Sequence, residues 1–306
     1  MVPTLLIVSI AVFLTIRLIP GNVVDMMVGD LGIAANVDRT QIEHALGLDV
    51  PIYVQYGRWM ADLFLHGSLG TSLRSGQPVN GTILARLPVT FELGLLAIII
   101  GLVIAIPIGI YSAIRQDTVG DYGGRSLAII FISVPSFWIG TMVMIYPSIW
   151  WGWAPSMKLI PFLDNPLGNL GMFIIPAAIL GMLMSGTTMR MTRTMMLEVL
   201  RQDYIRTAWS KGLRERVVVL RHGLRNAIIP VVTMIGMQLP LLVGGSVIME
   251  QIFVLPGIGR LMLDALSVRD YTMVSGINLF VATAVVAINL LVDLTYAYLD
   301  PRVHYR

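Results

Sequence analysis

Six apolar blocks, each about twenty residues long, recur along this chain of 306 residues and constrain its fold more than any other feature. A helix needs roughly 20 residues to cross a hydrocarbon core about 30 Å thick. Hydrophobic residues make up 56% of the chain and charged residues only 13%, about half the charged share of an ordinary soluble domain. The sequence therefore predicts an all-α integral membrane protein with about six transmembrane helices. Their predicted positions are residues 2–19, 93–114, 126–153, 165–189, 226–249 and 271–292.

Prolines inside these spans predict kinks. In a membrane, neighbouring helices and water can satisfy the carbonyls that a proline leaves without a partner, so the helix survives. We expect kinks at Pro107, Pro135, Pro176, Pro230 and Pro240.

The basic residues predict how the chain is oriented in the membrane. Nine of the 21 lie in the segment between the fourth and fifth spans, residues 190–225. Such an excess of Arg and Lys favours the cytoplasmic side, so six spans would place both termini in the cytoplasm. The net charge of +3 is too small to indicate nucleic-acid binding. The chain is instead expected to be a multi-pass protein whose surroundings are the lipid bilayer.

The rest of the chain divides around the spans. The first span falls within residues 1–20, and residues 21–87 are too polar to cross a membrane but mix acidic and aromatic positions in an amphipathic pattern. We predict that this second region forms short helices on the periplasmic or extracellular surface of the membrane. Residues 88–299 would form the transmembrane domain, with a cytoplasmic loop at 193–228, and residues 300–306 a cytoplasmic tail.

Several kinds of chemistry are excluded by the residues present. The chain has no cysteine, and its four histidines are scattered, so neither a thiol site nor paired metal ligands are expected. A phosphate-binding loop ends in Gly-Lys-Ser/Thr, whereas Lys158 precedes a leucine and Lys211 precedes a glycine. We predict a chain without cofactor, metal or ATP site of its own, and therefore not an enzyme.

Four polar residues at or inside the spans are candidates for a functional role. A charge is kept at membrane depth only where it serves a purpose, but a residue at the end of a span can simply face the headgroups. Uncharged amides more often join helices through hydrogen bonds. Both interpretations stay open, and the candidates for lining a pathway or fixing a loop are Glu92, Gln238, Glu250 and Asn278.

The loop at residues 198–230 is too charged to span the membrane and too regular to be a plain linker. Tyr204, Ala208 and Lys211 follow helical spacing, Gly212 can end that helix, and Leu213 begins a new segment. Two interpretations remain at this point. The loop could bind anionic lipid through its positive charge, or it could dock into a partner protein.

The loop resembles the signature loop of permease subunits of ATP-binding-cassette importers, in the dipeptide, oligopeptide and nickel branch. The resemblance rests on DYIRTA at residues 203–208, KGL at 211–213, RH at 221–222 and LRNA at 224–227. It extends over the whole chain, through RLIPG at 17–21, SVPSFW at 133–138, EQIFVLPGIGR at 250–260, RDY at 269–271 and DPR at 300–302.

This resemblance implies a type I importer transmembrane fold in a bacterial or archaeal inner membrane, with the chain as the first permease of a pair. It implies four kinds of subunit around the pathway: this chain, a second homologous permease, two cytoplasmic ATPase subunits and an extracytoplasmic binding protein. The residues that it assigns to coupling with the ATPases, as contact or hinge positions, are Tyr204, Arg206, Thr207, Ala208, Lys211, Gly212, Leu213 and Arg221.

Two other functions remain as alternatives. One is an autonomous carrier or channel that works without ATPases, and the other is a membrane scaffold without transport activity. Short peptides are the expected substrates, while nickel complexes, glutathione and sugars are carried by similar permeases.

Overall fold

The computed structural model describes residues 2–17, 44, 48–154 and 158–299, and the chain is helical throughout these ranges except for connecting turns and one isolated bridge between Thr71 and Pro78. The helices of the first half are α1 (Val2–Arg17), α2 (Ile52–His66), α3 (Val79–Ile114), α4 (Val119–Ser133) and α5 (Ser136–Trp151). Those of the second half are α6 (Pro166–Leu200), α7 (Asp203–Ser210), α8 (Glu215–Val217), a π-helical stretch (Val218–Leu224), α9 (Arg225–Ile252), α10 (Ile258–Ser267) and α11 (Tyr271–Leu299).

The all-α membrane class is confirmed by the length and apolar character of these helices. Four are long and apolar enough to cross a membrane: Val79–Ile114, Pro166–Leu200, Glu215–Pro240 and Tyr271–Thr295. A fifth span is formed if α4 and α5 are counted together, and α1 is apolar over the shorter stretch Pro3–Leu14. The end of the first predicted span, residues 21–43 and 45–47 of the predicted outside region, and the predicted tail lie outside the described residues.

The third span is broken at Pro135, where the axes of α4 and α5 differ by 88°. Val134 and Pro135 both have extended backbone, with ψ of 122° and 129°. A proline disfavours the helical conformation of the residue before it, which explains why the break falls here. The predicted disturbance at this proline is therefore confirmed. The other four prolines lie inside helices that continue through them, namely α3, α6 and α9.

Helix α3 begins at Val79, whereas the apolar pattern predicted the second span to start at residue 93. Residues 79–87, which the sequence assigned to the outside region, are thus the first turns of this helix. Asn80, Thr82 and Arg86 lower the hydropathy of these turns without ending the helix. Hydropathy marks where lipid contact begins, and a helix can extend well beyond that point.

The described chain forms two compact units. The first combines residues 1–88 with 256–286, and its core includes Leu69, Val79 and Ile277. Within it, α1 contacts α2 through aromatic rings: Phe13 lies 5.3 Å from Tyr56 and 5.6 Å from Trp59 between ring centroids. These contacts fix α2 against the first apolar helix.

The second unit combines residues 89–255 with 287–306. Its main core joins α3, α6 and α9 through Leu93, Phe173 and Met249, all nearly or fully buried. A smaller core at the other end of α6 joins Met196 to Val219. This unit contains the whole segment that the sequence predicted as the cytoplasmic loop.

Candidate functional site

Helix α7 is a short surface helix between α6 and α8, and only two of its side chains are buried. Ile205 is fully buried and Ala208 nearly so, and both pack against Val218 of the π-helical stretch with Leu200 beside them. An eight-residue helix is too short to be stable alone in water, so this small apolar contact holds α7 in place.

The end of α7 matches the predicted role of glycine. The helix stops at Ser210, and Gly212 adopts the left-handed conformation with φ of +71°. Its amide donates to the carbonyl of Trp209 at 2.9 Å, which closes the helix. A left-handed residue is unstrained only when it is glycine, so the chain reverses here and α8 begins three residues later.

The outer face of α7 and the turn after it carries apolar and basic groups together. Tyr204 is 43% exposed, Trp209 46% and Leu213 36%. Arg206 and Lys211 are also exposed. Exposed aromatic residues beside positive charges are typical of surfaces that bind another protein.

Tyr204 joins α7 to the start of α9. Its hydroxyl accepts a hydrogen bond from the side-chain amide of Asn226 at 2.8 Å. The same amide donates to the carbonyl of His222 at 3.2 Å. This hydrogen bond links α7 directly to α9, and the packing on Val218 links α7 to the π-helical stretch before it.

The predicted contact residues do not all reach the surface. Ala208 faces inward, so it docks α7 onto its own chain, while Tyr204 and Lys211 are exposed. Lys211 lies past the end of the helix, where helical spacing no longer applies. The other predicted contact residues, Arg206, Thr207, Gly212, Leu213 and Arg221, are all exposed.

The four polar candidates in the spans are held by separate contacts. Glu250 is fully buried, accepts a hydrogen bond from the Thr90 hydroxyl at 2.7 Å, and its carbonyl accepts the amide of Leu255 at 2.8 Å. This burial favours the loop-fixing interpretation over a position at the headgroups. Glu92 is half-buried and accepts from the Asn169 amide at 3.3 Å.

The remaining two candidates are amides on long helices. Gln238 accepts from the Thr187 hydroxyl at 2.8 Å, which joins α9 to α6 as expected for an interhelical hydrogen bond. Asn278 is half-buried on α11, in the first unit. The pathway role of all four stays a prediction. In the part of the chain that the structure describes, no three His, Asp or Glu side chains are grouped as metal ligands.

A buried ion pair near the loop was missed by the sequence analysis. Asp121, fully buried in the first turn of α4, accepts from Nε and Nη2 of Arg193 on α6, both at 2.8 Å. The carboxylate also accepts the Ser112 hydroxyl and, at 3.1 Å, the amide of Asp117. The two partners are 72 residues apart, so no local pattern could reveal them. An acidic residue just before an apolar span was the only available signal.

Comparison with known proteins matches the chain along nearly its whole length. Residues 105–305 match the family described as binding-protein-dependent transport system inner membrane component. Residues 1–94 match the family of the N-terminal part of such membrane components. These two matches cover both compact units.

Three similar proteins are transport permeases from different bacteria. A peptide transport system permease protein of Brucella suis is 47% identical, over 99% of this chain and 96% of its own length. The oligopeptide transport system permease protein AppB of Bacillus subtilis is 39% identical with the same coverage. The dipeptide transport system permease protein DppB of Escherichia coli is 38% identical, over 100% of this chain and 96% of its own length.

One solved structure has a related fold. The crystal structure of an amino acid ABC transporter with histidines superimposes with a TM-score of 0.52, over 73% of this chain and 95% of that chain. The two sequences are 14% identical, so the similarity bears on the fold alone. It confirms the predicted type I importer architecture.

Proposed function

Since the chain belongs to the family of binding-protein-dependent transport system inner membrane components, as a permease of the peptide branch of ATP-binding-cassette importers, we propose that it forms one half of a translocation pathway for short peptides. The proposed reaction is the ATP-driven import of a peptide delivered by an extracytoplasmic binding protein. The second half of the pathway is a homologous permease. Two ATPase subunits bind on the side that the basic residues predict to be cytoplasmic.

The observation that carries this proposal is the exposed surface of α7. Tyr204, Trp209 and Leu213 expose large apolar groups beside Arg206 and Lys211, while its two buried side chains, Ile205 and Ala208, pack against its own chain. A short helix presented in this way suits docking into a cleft of a partner protein. Exposed aromatic and basic groups also suit an anionic lipid surface, so the co-purification below decides between the two interpretations.

Energy for transport must come from a partner under this proposal. The two lysines of the chain lie outside any phosphate-binding motif. Closure of two ATPase subunits around ATP would push or pull α7, and α7 would pass the movement to α9 through Val218 and the bond between Tyr204 and Asn226. A movement of this kind switches a helical bundle between two discrete arrangements.

Peptides are proposed as substrates because the similar permeases are named for peptide, oligopeptide and dipeptide transport. Competition in a transport assay decides this point. Uptake of a labelled dipeptide should be inhibited by other short peptides. Inhibition by a nickel complex or glutathione, but not by peptides, would assign the chain to another substrate.

The test of the proposal is co-purification of the tagged chain with nucleotide-hydrolysing subunits, comparing the native chain with Gly212→Trp. A matched control exists in Gly152→Trp. Both glycines are left-handed, with φ of +71° and +63°, and both have open space around the position that a Cβ would occupy. The two variants therefore carry similar strain, of about 1–3 kcal/mol each. In one variant the new side chain lies beside α7, and in the other it lies at the end of α5.

We expect the ATPase subunits to co-purify with the native chain and with Gly152→Trp, and to be lost or uncoupled in Gly212→Trp. If no ATPase accompanies the native chain when it is expressed together with the proposed partner subunits, the proposal fails. An autonomous carrier would then be the function to test.

A further inference from the structure

The turn between α3 and α4, together with the first turn of α4, contacts the chain on both sides of α7. On one side, Arg193 of α6 forms the buried pair with Asp121. On the other side, Arg115 in this turn pairs with Glu215, the first residue of α8, at 3.2 Å between Nη1 and Oε1. Because α7 lies between α6 and α8 in the sequence, the two pairs bracket it.

The two pairs differ in how easily they break. Asp121 has no exposed side-chain surface and Arg193 only 20%, so separating them would leave a buried charge without its partner. Arg115 and Glu215 are 53% and 44% exposed, and water can replace each partner at little cost. The ion pair with α6 is therefore expected to stay intact, whereas the ion pair with α8 can break and re-form.

The ion pair between Asp121 and Arg193 also has a defined geometry. The guanidinium of Arg193 donates through two nitrogens to two oxygens of Asp121, an arrangement that fixes orientation as well as distance. The Ser112 hydroxyl and the Asp117 amide donate to the same carboxylate, so the end of α3 and the start of α4 are fixed to it too. Three helices meet at this one carboxylate.

We propose that Asp121 and Arg193 are positioning residues that make the ends of α3 and α4 move together with α6 when α7 is displaced. Their role is to pass the displacement of α7 to α3 and α4. The buried side chains of α7 pack against Leu200 and Val218 and belong to a cluster without residues of α3 or α4. This inference rests on the proposed function, because it requires that a partner moves α7.

The test uses the complete importer in lipid vesicles and measures the number of peptide molecules taken up per ATP hydrolysed. Arg193→Lys keeps the positive charge but cannot donate through two rigidly spaced nitrogens. Asp121→Asn removes the charge that Arg193 neutralises. The matched controls are Arg190→Lys, at an exposed position three residues earlier on α6, and Asp164→Asn, at an exposed position before α6.

We expect both variants at the pair to retain the ATPase subunits and to hydrolyse ATP, while uptake per ATP falls by about fivefold or more, the lower end of typical coupling effects. The controls should keep the native ratio. A role in folding alone would lower the yield of importer without changing this ratio, and that result would overturn the proposal. If Asp121→Asn does not fold, Arg193→Lys decides, and a native ratio in this variant would equally overturn it.

Failure of the proposed function gives a different result. In that case the native chain would neither retain ATPase subunits nor take up peptide with ATP. If the native importer is active and the variants keep its ratio, only the inference about the ion pair is wrong.

Discussion

Glycine at position 181 shows how single residues set the distance between helices in the second unit. A Cβ at Gly181 would lie 2.7 Å from the carbonyl oxygen of Ala97 and 3.1 Å from the amide of Gly101. Both are backbone atoms of α3, which cannot move aside as a flexible side chain could. Small residues allow this close approach of α3 and α6, which is a common basis of helix packing in membranes.

We predict that Gly181→Ala destabilises the protein by about 1–3 kcal/mol, the usual cost of overpacking a tight contact. The measurement is the midpoint of thermal unfolding in detergent. Gly171→Ala is the control, since it lies on the same helix with nothing within 4 Å of its Cβ position. The control should unfold at the native temperature or slightly higher, because alanine favours the helix over glycine. Equal midpoints for the two variants would contradict the close contact.

At the scale of elements, α7 depends on its anchor. Its apolar attachment consists of Ile205 and Ala208 against Val218, and its eight residues supply too few hydrogen bonds to persist alone. The helix is therefore expected to detach and unfold locally when the anchor is weakened. Local opening of this kind does not require the transmembrane helices to unfold.

We predict that Ile205→Ala speeds amide hydrogen exchange over residues 203–210 and leaves exchange in α6 and α9 unchanged. Loss of a fully buried isoleucine side chain costs about 2–5 kcal/mol, which is a large share of what holds a short helix. Arg206→Ala is the control, because its side chain is exposed and its ion pair with Asp203 is exposed as well. Slow exchange in Ile205→Ala would mean that α7 is held by other contacts.

Across the whole molecule, the sequence predicted what depends on local pattern. The apolar blocks located the long helices, Pro135 marked the broken span, and Gly212 marked the end of α7. The sequence did not predict contacts between residues that lie far apart in the chain. The pairing of Asp121 with Arg193, the burial of Glu250 beside Thr90 and the contact of Gly181 with α3 each join residues far apart in the chain, and no periodic pattern records such pairs.

Transport by the whole molecule should require its partners. An uphill carrier needs an energy source, and this sequence contains no phosphate-binding loop. The two fully buried acids described in the second unit are both engaged, Glu250 by the Thr90 hydroxyl and Asp121 by the Arg193 guanidinium. We predict that vesicles containing the chain alone take up no more labelled dipeptide than protein-free vesicles, with ATP or with a proton gradient. Vesicles with the complete importer and its binding protein should accumulate the peptide when ATP is enclosed on the side of the ATPases, and should not do so with a non-hydrolysable analogue. Gradient-driven accumulation by the chain alone would contradict the importer and favour an autonomous carrier, because energy would then enter through the permease itself.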